Sequence, residues 1–303
     1  MGAIDVGIAR PAPLTLRQTA AAYLALTKPR IISLLLITTI PAMILAEQGW
    51  PSTWLVIATV VGGTLAAGGA NAINCYVDRD IDQIMHRTQG RPLPLGQMEP
   101  ASALIFALVL EAVAFVLLAV TSNVLAATLA LSATTFYVFV YTMWLKRRSK
   151  QNIVIGGAAG AMPPLVGWAA VTGDVGLPAI VLFAIVFVWT PPHFWALSIK
   201  YRDDYARARV PMLPVVATLA ETKAQIFWYA VALVPVSLLL SATGTVSWIY
   251  FAAAVVLGGG FVRQTWRLRS DDGPGAAMGV FRWSIYYLAL LFVAVAADRL
   301  LLG

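Results

Sequence analysis

The sequence predicts an all-α integral membrane protein with nine transmembrane helices, and three observations support this fold class. Of its 303 residues, 60% are hydrophobic and only 12% are charged, whereas a soluble protein carries about 25% charged residues. The apolar residues form long uninterrupted runs, as transmembrane helices require. Lysine and arginine are concentrated in alternate connections between these runs, which is typical of helical membrane proteins.

Nine apolar runs are predicted to cross the membrane: 31–46, 54–75, 102–121, 124–145, 152–172, 177–198, 225–241, 246–267 and 280–301. The long connections 76–101 and 199–224 follow the second and the sixth run. This spacing predicts two parallel four-helix repeats plus a ninth helix, with these connections as equivalent caps over a central cavity that opens toward the cytoplasm. We treat 1–303 as a single domain and expect 1–22 to be a flexible N-terminal segment.

The distribution of charge predicts the topology of the chain in the membrane. Of the 21 lysines and arginines, only Arg299 falls on the side opposite the others. The positive-inside rule therefore places the N-terminus in the cytoplasm and the C-terminus outside. We interpret the net charge of +7 as this topological signal and not as a nucleic-acid-binding surface. The single cysteine excludes an internal disulfide, and two histidines are too few for a multi-histidine zinc site.

Polar residues cluster at the end of the second apolar run, in the sequence NAINCYVDRDIDQIMHRTQGRPLP. If the helix continues past Tyr76, then Asn74, Asp78 and Asp82 share one face, because each step of four residues turns about 400° and rises ~6 Å. Asp80 points elsewhere. Amide and carboxylate oxygens suit Mg²⁺, which completes its coordination with phosphate oxygens. The alternative interpretation is a solvated, charged loop edge.

Cations follow these acids in both caps. Arg87 and Arg91 have the guanidinium fork that binds phosphate, although they are also compatible with simple positive-inside anchoring. In the second cap, Lys200 and Asp204 are spaced to share a helix face. They form either an ordinary salt bridge or a second half-site, in which Asp204 binds metal and Lys200 contacts phosphate oxygens.

Further candidate residues lie on the spans themselves. His193, in the sequence PPHFWAL, is an intramembrane ionisable residue and therefore a functional candidate, although a hydrogen-bonded core histidine is the alternative. Lys146 and Asn152 stand near the inner ends of two spans and are candidate diphosphate ligands. Gly156 and Gly160 are expected to permit close helix packing.

Three motifs together carry a resemblance to the UbiA-type intramembrane prenyltransferases, and among them to the haem-farnesylating branch. They are NCYVDRDID followed by RTQGRPLP, then NIVIGGAAGAMPPLVGW, then PPHFWALSIKYRDDY followed by VPMLP. The resemblance covers roughly residues 20–300. It implies a nine-helix fold with a central cavity in the bacterial cytoplasmic (inner) membrane. It also implies transfer of the farnesyl group of farnesyl diphosphate to a vinyl group of haem B, with addition of water, giving haem O and diphosphate.

Carried over by residue, the resemblance implies that Asn74, Asp78 and Asp82 form the first metal–diphosphate motif and that Asp204 belongs to the second. Mg²⁺ is the implied cofactor, and haem B is a substrate. Two departures stand out. Lys200 occupies a position where many members of the superfamily have aspartate, and ARARVP lacks the glycine usual before VPMLP.

On this basis we expect Mg²⁺, Arg87, Arg91 and Lys200 to neutralise the leaving diphosphate. Aromatic side chains would stabilise the allylic cation; the candidates are Tyr76, Tyr141, Trp168, Phe194 and Trp195. His193 is a candidate ligand of the haem iron. Membrane lipid is an expected partner, a haem A synthase or terminal oxidase assembly is a candidate partner, and nucleic acid is not expected. The alternatives are another acceptor, such as a quinone-ring precursor or a chlorophyllide, or a transporter.

Overall fold

The computed structural model describes residues 15–271, 273 and 275–302, and these residues contain helices but no strand. The α-helices in chain order are α1 (Leu16–Thr27), α2 (Pro29–Glu47), α3 (Thr53–Val77), α4 (Arg79–Ile84), α5 (Pro100–Thr121), α6 (Val124–Thr135), α7 (Asn152–Thr172), α8 (Leu177–Lys200), α9 (Arg202–Arg207), α10 (Leu213–Val216), α11 (Leu219–Ala242), α12 (Trp248–Ser270) and α13 (Ala276–Leu302). A π-helix (Phe136–Trp144) and a 3-10 turn (Leu145–Arg147) extend α6.

Every predicted span coincides with a long helix, and the bounds agree to within a few residues except at the start of α11. Among the described residues, seven helices are long and apolar enough to cross a membrane. The other two are α2, whose described apolar part is Leu36–Glu47, and α12, where Gly258–Gly260 and Arg263 lower the hydropathy. An all-α membrane protein with at least seven candidate spans is therefore established, and nine crossings stay a prediction.

The long helices pack in a closed order. Each contacts the next along the chain, in the series α2, α3, α5, α6, α7, α8, α11, α12 and α13, and α13 packs against α2. Two further contacts lie outside this series: α2 packs against α7, and α8 packs against α13. The largest fully enclosed side chains are aromatic and lie in the α12–α13 region, among them Tyr250, Phe261, Tyr287 and Phe292.

Large apolar side chains cover the outside of the helices. Val120 is 80% exposed and Val256 is 70% exposed. A water-soluble monomer rarely presents such continuous apolar surface, whereas lipid solvates it without cost. This surface agrees with the membrane location that the composition predicts.

The N-terminal segment differs from the prediction. Residues 16–22, expected to be flexible, belong to α1, which begins at a capping box formed by Thr15 and Gln18. Helix α1 ends where Lys28 adopts a left-handed conformation with φ of 54°, and Pro29 then opens α2. The rest of the predicted flexible segment, residues 1–14, lies outside the described residues.

The glycine prediction is half right. A Cβ atom on Gly156 would clash with Cδ2 of Tyr141, so a side chain larger than hydrogen does not fit there. A Cβ atom on Gly160 would meet nothing within 4 Å. Close packing therefore requires Gly156, but it does not require Gly160.

Candidate functional site

The first cap begins with a buried polar face at the C-terminal end of α3. The amide of Asp78 donates to the carbonyl of Asn74 at 2.9 Å, and the amide of Asp82 donates to the carbonyl of Asp78 at 2.9 Å. The helical path therefore continues from α3 into α4, as the spacing predicts. Asn74, Asp78 and Asp82 are 4%, 0% and 2% exposed. Three polar side chains in a row are thus withdrawn from solvent, which excludes a solvated loop edge.

Asp80 belongs to the same motif but points outward. Its side chain is 59% exposed, and both of its oxygens accept hydrogen bonds from Arg147 at 2.7 Å. This hydrogen bond with Arg147, against a smaller effect of burial, holds the pKa of Asp80 below its usual value. The prediction that Asp80 lies off the acid face is confirmed.

Asp78 is the centre of the buried face. One oxygen, Oδ2, pairs with the ammonium of Lys146 and accepts a hydrogen bond from Nδ2 of Asn74 at 2.7 Å. The other oxygen, Oδ1, lies 3.6 Å from a guanidinium nitrogen of Arg147 and has no hydrogen-bond partner. A buried carboxylate oxygen without a hydrogen-bond donor is costly, so this atom has acceptor capacity that the described residues do not use.

The other two members of the face, Asp82 and Asn74, each contact a cationic side chain. Asp82 pairs with Arg91 at 2.6 Å, so Arg91 lies where the sequence predicts, next to the acids. The ammonium of Lys28 donates to Oδ1 of Asn74 at 2.8 Å. Burial lowers the pKa of Lys28 to about 8. Sequence reasoning missed Lys28 as a site residue, because its partner is 46 residues away and no local pattern links them.

The π-helix brings the fourth span to this face. Nδ2 of Asn74 contacts Oγ of Thr142 at 3.1 Å, and the hydroxyl of Thr142 donates to the carbonyl of Tyr137 at 2.8 Å. The wider π-helical turn ends at the 3-10 turn that carries Lys146. π-Helical turns are frequent at functional sites, and Thr142 is a second residue that the sequence did not single out.

Asn152, the first residue of α7, lies next to Lys146. It is 0% exposed, and its Nδ2 donates to the backbone carbonyl of Lys146 at 3.5 Å. Its Oδ1 has no hydrogen-bond partner. Lys146 therefore contacts the acid face directly, and Asn152 contacts the backbone of Lys146; diphosphate binding by both residues stays a prediction.

The oxygen atoms present fit a hard divalent cation. Oδ1 of Asp78 and Oδ1 of Asn152 are buried acceptors without donors. Within the described part of the chain, no three His, Cys, Asp or Glu side chains group closely enough to hold a metal by themselves. Mg²⁺ commonly takes one or two protein carboxylates and obtains its remaining oxygens from water and phosphate, so the acceptors on Asp78 and Asn152 suit it.

The second cap does not form the predicted half-site. Asp204 is 7% exposed and accepts hydrogen bonds from the backbone amides of His86 at 3.4 Å and Arg87 at 3.2 Å. Its Oδ1 also pairs with Arg207. Burial acts to raise the pKa of Asp204, but these hydrogen bonds outweigh it and hold the pKa below its usual value. Asp204 therefore joins the second cap to the first.

Lys200 is not paired with Asp204. Helix α8 ends at Lys200, and Tyr201 breaks the regular path before α9, so the expected four-residue face is lost. Lys200 is exposed, with its ammonium 5.4 Å from the ring centroid of Tyr201. It lines a separate cavity of about 320 Å³ with Ile199, Arg202, Asp203, Pro214 and Leu219.

Arg87 retains donors for an anion. Its guanidinium contacts the hydroxyl of Tyr205 at 3.3 Å and lies 5.4 Å from the ring centroid of Tyr201. Among the described residues it forms no ion pair with a carboxylate. Since Asp204 holds the Arg87 backbone, the side chain is fixed in place without being neutralised.

Most of the predicted aromatic wall lies elsewhere. Tyr76 packs into the α1–α3–α5 cluster, because a position two residues from Asn74 and Asp78 faces the opposite side of the helix. Trp168 donates to Asp174 at 3.3 Å near the other end of α7, ~24 Å of helix rise from Asn152.

Two more of the aromatic candidates lie on α8. Trp195 is 2% exposed and packs edge-on against Tyr229 in the core. Phe194 is 36% exposed and contacts the edge of His193. Of the five aromatic candidates, only Tyr141 is near the acids; it precedes Thr142 and packs in the cluster that contains Ile81.

His193 lies in α8 at its contact with α13. Its ring stacks on Trp189, with centroids 4.2 Å apart, and on Phe281, with centroids 4.6 Å apart. Nδ1 lies 2.7 Å from Oγ of Ser284. The residue is 7% exposed. It is thus a buried, hydrogen-bonded histidine, as the core interpretation predicts, and its second ring nitrogen is not used by the protein.

Comparison with known proteins gives concordant results. The pattern described as the UbiA prenyltransferase family matches residues 35–296. A protein of Saccharopolyspora erythraea named protoheme IX farnesyltransferase 1 is 56% identical over 294 residues, covering 96% of this chain and 94% of that protein. Protoheme IX farnesyltransferase of Clavibacter michiganensis subsp. michiganensis is 56% identical over 283 residues, covering 92% of each chain.

Solved structures share the fold. A structure of a UbiA homologue from Archaeoglobus fulgidus bound to GPP and Mg²⁺ superposes with a TM-score of 0.63 at 15% identity, covering 91% of this chain and 99% of that one. A structure reported for digeranylgeranylglyceryl phosphate synthase gives a TM-score of 0.76 at 18% identity, covering 93% of this chain and 99% of that one.

Proposed function

Because the chain belongs to the UbiA prenyltransferase family, we propose that it transfers the farnesyl group of farnesyl diphosphate to a vinyl group of haem B. Water adds in the same reaction, and the products are haem O and diphosphate. The observation that carries the proposal is the buried face of Asn74, Asp78 and Asp82, with an unpartnered oxygen on Asp78. The names of relatives at 56% identity support haem as the acceptor.

Asn74, Asp78 and Asp82 are the proposed Mg²⁺ ligands, with Asn152 beside them. Bound there, Mg²⁺ would supply charge neutralisation for the departing diphosphate. We assign Asp204 the role of joining the two caps, because both of its oxygens accept hydrogen bonds from backbone amides of the first cap.

The balance of charge favours an anionic substrate. Around the two buried carboxylates of Asp78 and Asp82 stand the cations Lys28, Arg91 and Lys146, with Arg87 in the same cap. Buried charges are stable only when they are compensated. A diphosphate beside bound Mg²⁺ would use this excess of donors, and we assign Arg87, Arg91, Lys146 and Asn152 to it.

The fixed cations of the site suggest how the reaction proceeds. The bond between C1 of the farnesyl chain and oxygen breaks, and the electron pair leaves with diphosphate, which the fixed cations stabilise as its charge develops. The vinyl π electrons of haem B form the new carbon–carbon bond. Water adds to the resulting cation and releases one proton. Among the predicted aromatic residues, Tyr141 is placed nearest to the acids and is our candidate for stabilising the allylic cation.

We also propose the finer architecture that the sequence predicts. It comprises nine crossings in two four-helix repeats plus one, a central cavity that opens toward the cytoplasm, and both caps on the cytoplasmic side of a bacterial inner membrane. The lysines and arginines of the caps support this orientation. Membrane lipid surrounds the helices, and a haem A synthase or terminal oxidase assembly is the proposed recipient of the product.

The test is a product assay on the purified protein in lipid nanodiscs. With farnesyl diphosphate, haem B and Mg²⁺, we expect a product with the mass of haem O, and we expect chelation of Mg²⁺ to abolish it. Parallel reactions offer a quinone-ring precursor or a chlorophyllide in place of haem. Prenylation of one of these with no haem product would overturn the assignment of the acceptor, and no prenylation of any acceptor would overturn the enzymatic function.

A further inference from the structure

A buried imidazole stands apart from the diphosphate site. His193 lies on α8, ~10 Å of helix rise from its inner end at Lys200. The rings of Trp189 and Phe281 cover its two faces at interplanar angles of 20° and 27°. This sandwich fixes the plane of the imidazole at the contact between α8 and α13.

Ser284 engages one nitrogen of this imidazole. Its Oγ lies 2.7 Å from Nδ1 of His193 and also 2.7 Å from the carbonyl oxygen of Phe281. When the hydroxyl donates its proton to that carbonyl, the oxygen accepts from Nδ1, and Nε2 bears a lone pair. Among the described residues, none forms a hydrogen bond with Nε2.

This arrangement is the one that proteins use to prepare a histidine for a metal. A hydrogen bond to one ring nitrogen sets the tautomer and orientation, and the other nitrogen ligates. A histidine nitrogen is a common axial ligand of haem iron. An ordinary core histidine would be expected to use both nitrogens, since a buried acceptor without a donor costs free energy.

We propose that Nε2 of His193 ligates the iron of the substrate haem and that Ser284 is the positioning residue that presents it. The inference rests on the proposed function, because it presumes that haem is the acceptor. Iron ligation would hold the porphyrin within the membrane, below the caps. The ring plane of His193, which Trp189 and Phe281 fix, would set the orientation of the bound porphyrin.

The experiment is a haem B titration of the full-length protein in nanodiscs, followed by absorption and resonance Raman spectroscopy. We expect an iron–histidine signature in the wild type. His193→Ala and the more conservative His193→Gln should both lose it, and added imidazole should restore it in His193→Ala. His86→Ala is the matched control, because the chain has only two histidines and His86 is exposed in the first cap. This control should keep the signature.

Ser284→Ala tests the positioning role. We expect it to keep the iron–histidine signature but to weaken haem affinity about 10- to 100-fold, as loss of an outer hydrogen bond to a ligating histidine does. Ser284→Thr, which keeps the hydroxyl, should recover most of the affinity. Metal-free protoporphyrin, offered as the ligand, should bind equally to the wild type and His193→Ala, because no iron is present.

The outcomes separate the inference from the function. Haem O formation by a protein whose haem spectrum is unchanged in both His193 variants would overturn iron ligation and leave the farnesyltransferase function intact. An unchanged haem affinity in Ser284→Ala would overturn the positioning role. A wild-type protein that neither binds haem nor forms haem O would overturn both proposals.

Discussion

Asp78 and Asp80 provide a test within one motif. They are two residues apart and chemically identical, yet Asp78 is fully buried with an unpartnered oxygen, while the side chain of Asp80 is 59% exposed and paired with Arg147. We expect Asp78→Asn to abolish Mg²⁺-dependent turnover and Asp80→Asn to leave it nearly unchanged. Both substitutions preserve the shape of the side chain and remove one negative charge. Any difference between the two variants therefore reflects the environment of that charge.

The magnitudes follow from the environments. Loss of one group that stabilises developing charge in a closed site costs about 10²- to 10³-fold in turnover, or about 2.7–4 kcal/mol. Loss of a surface ion pair such as that of Asp80 with Arg147 costs about 0–1 kcal/mol of stability. We expect it to remove no contact that turnover requires. Asp78→Asn also leaves Lys146 without its buried partner, a change worth about 3–5 kcal/mol of stability in well-studied pairs.

The assay must therefore separate folding from chemistry. Haem O formation is measured by mass against Mg²⁺ concentration, and each rate is normalised to the folded fraction from size-exclusion chromatography. The double variant Asp78→Asn with Lys146→Met removes the unpaired charge, so it should regain stability while staying inactive. Turnover above a tenth of wild type in Asp78→Asn, or an equal loss in Asp80→Asn, would refute the buried-ligand argument.

Three further predictions concern packing and the contact between the caps. Gly156→Ala should destabilise the protein by about 1–3 kcal/mol through the clash with Tyr141. Gly160→Ala should be neutral or stabilising by about 0.5–1 kcal/mol. Unfolding in denaturing detergent measures both free energies, and equal effects would contradict the different surroundings of the two glycines. Asp204→Ala should weaken the contact between the caps by about 1–3 kcal/mol and speed hydrogen exchange of the two amides it accepts from, and Asp203→Ala, at an exposed position, should not. Because the folded pKa of Asp204 lies below the ordinary 3.8, its contribution to stability is present above that value and is lost as pH falls through the folded pKa. Exchange protection of those amides should therefore be constant from about pH 8 to about pH 5, and a loss of protection within that range would argue against the contact.

The sequence was informative where the physical cause is local. The helix positions follow from runs of apolar residues, and a long helix occupies every predicted span. The shared face of Asn74, Asp78 and Asp82 follows from the helical repeat, and the structure buries all three. Pairing of Arg91 with Asp82 was within reach for the same reason, since only nine residues separate them.

The sequence was uninformative where partners come from distant helices. Lys146 reaches Asp78 across 68 residues, and the backbone amide of Arg87 reaches Asp204 across 117. The same distance in sequence explains why Ser284 was not anticipated as the partner of His193.

The sequence by itself therefore determined the helices and the acid face, because hydrophobicity and periodicity act over one or two turns. Only the tertiary structure decided which cations compensate those acids and that Asp204 joins the caps while Lys200 faces another cavity. Those outcomes depend on how helices pack and on where α8 ends, at Lys200. The break at Tyr201 redirects the side chains that follow.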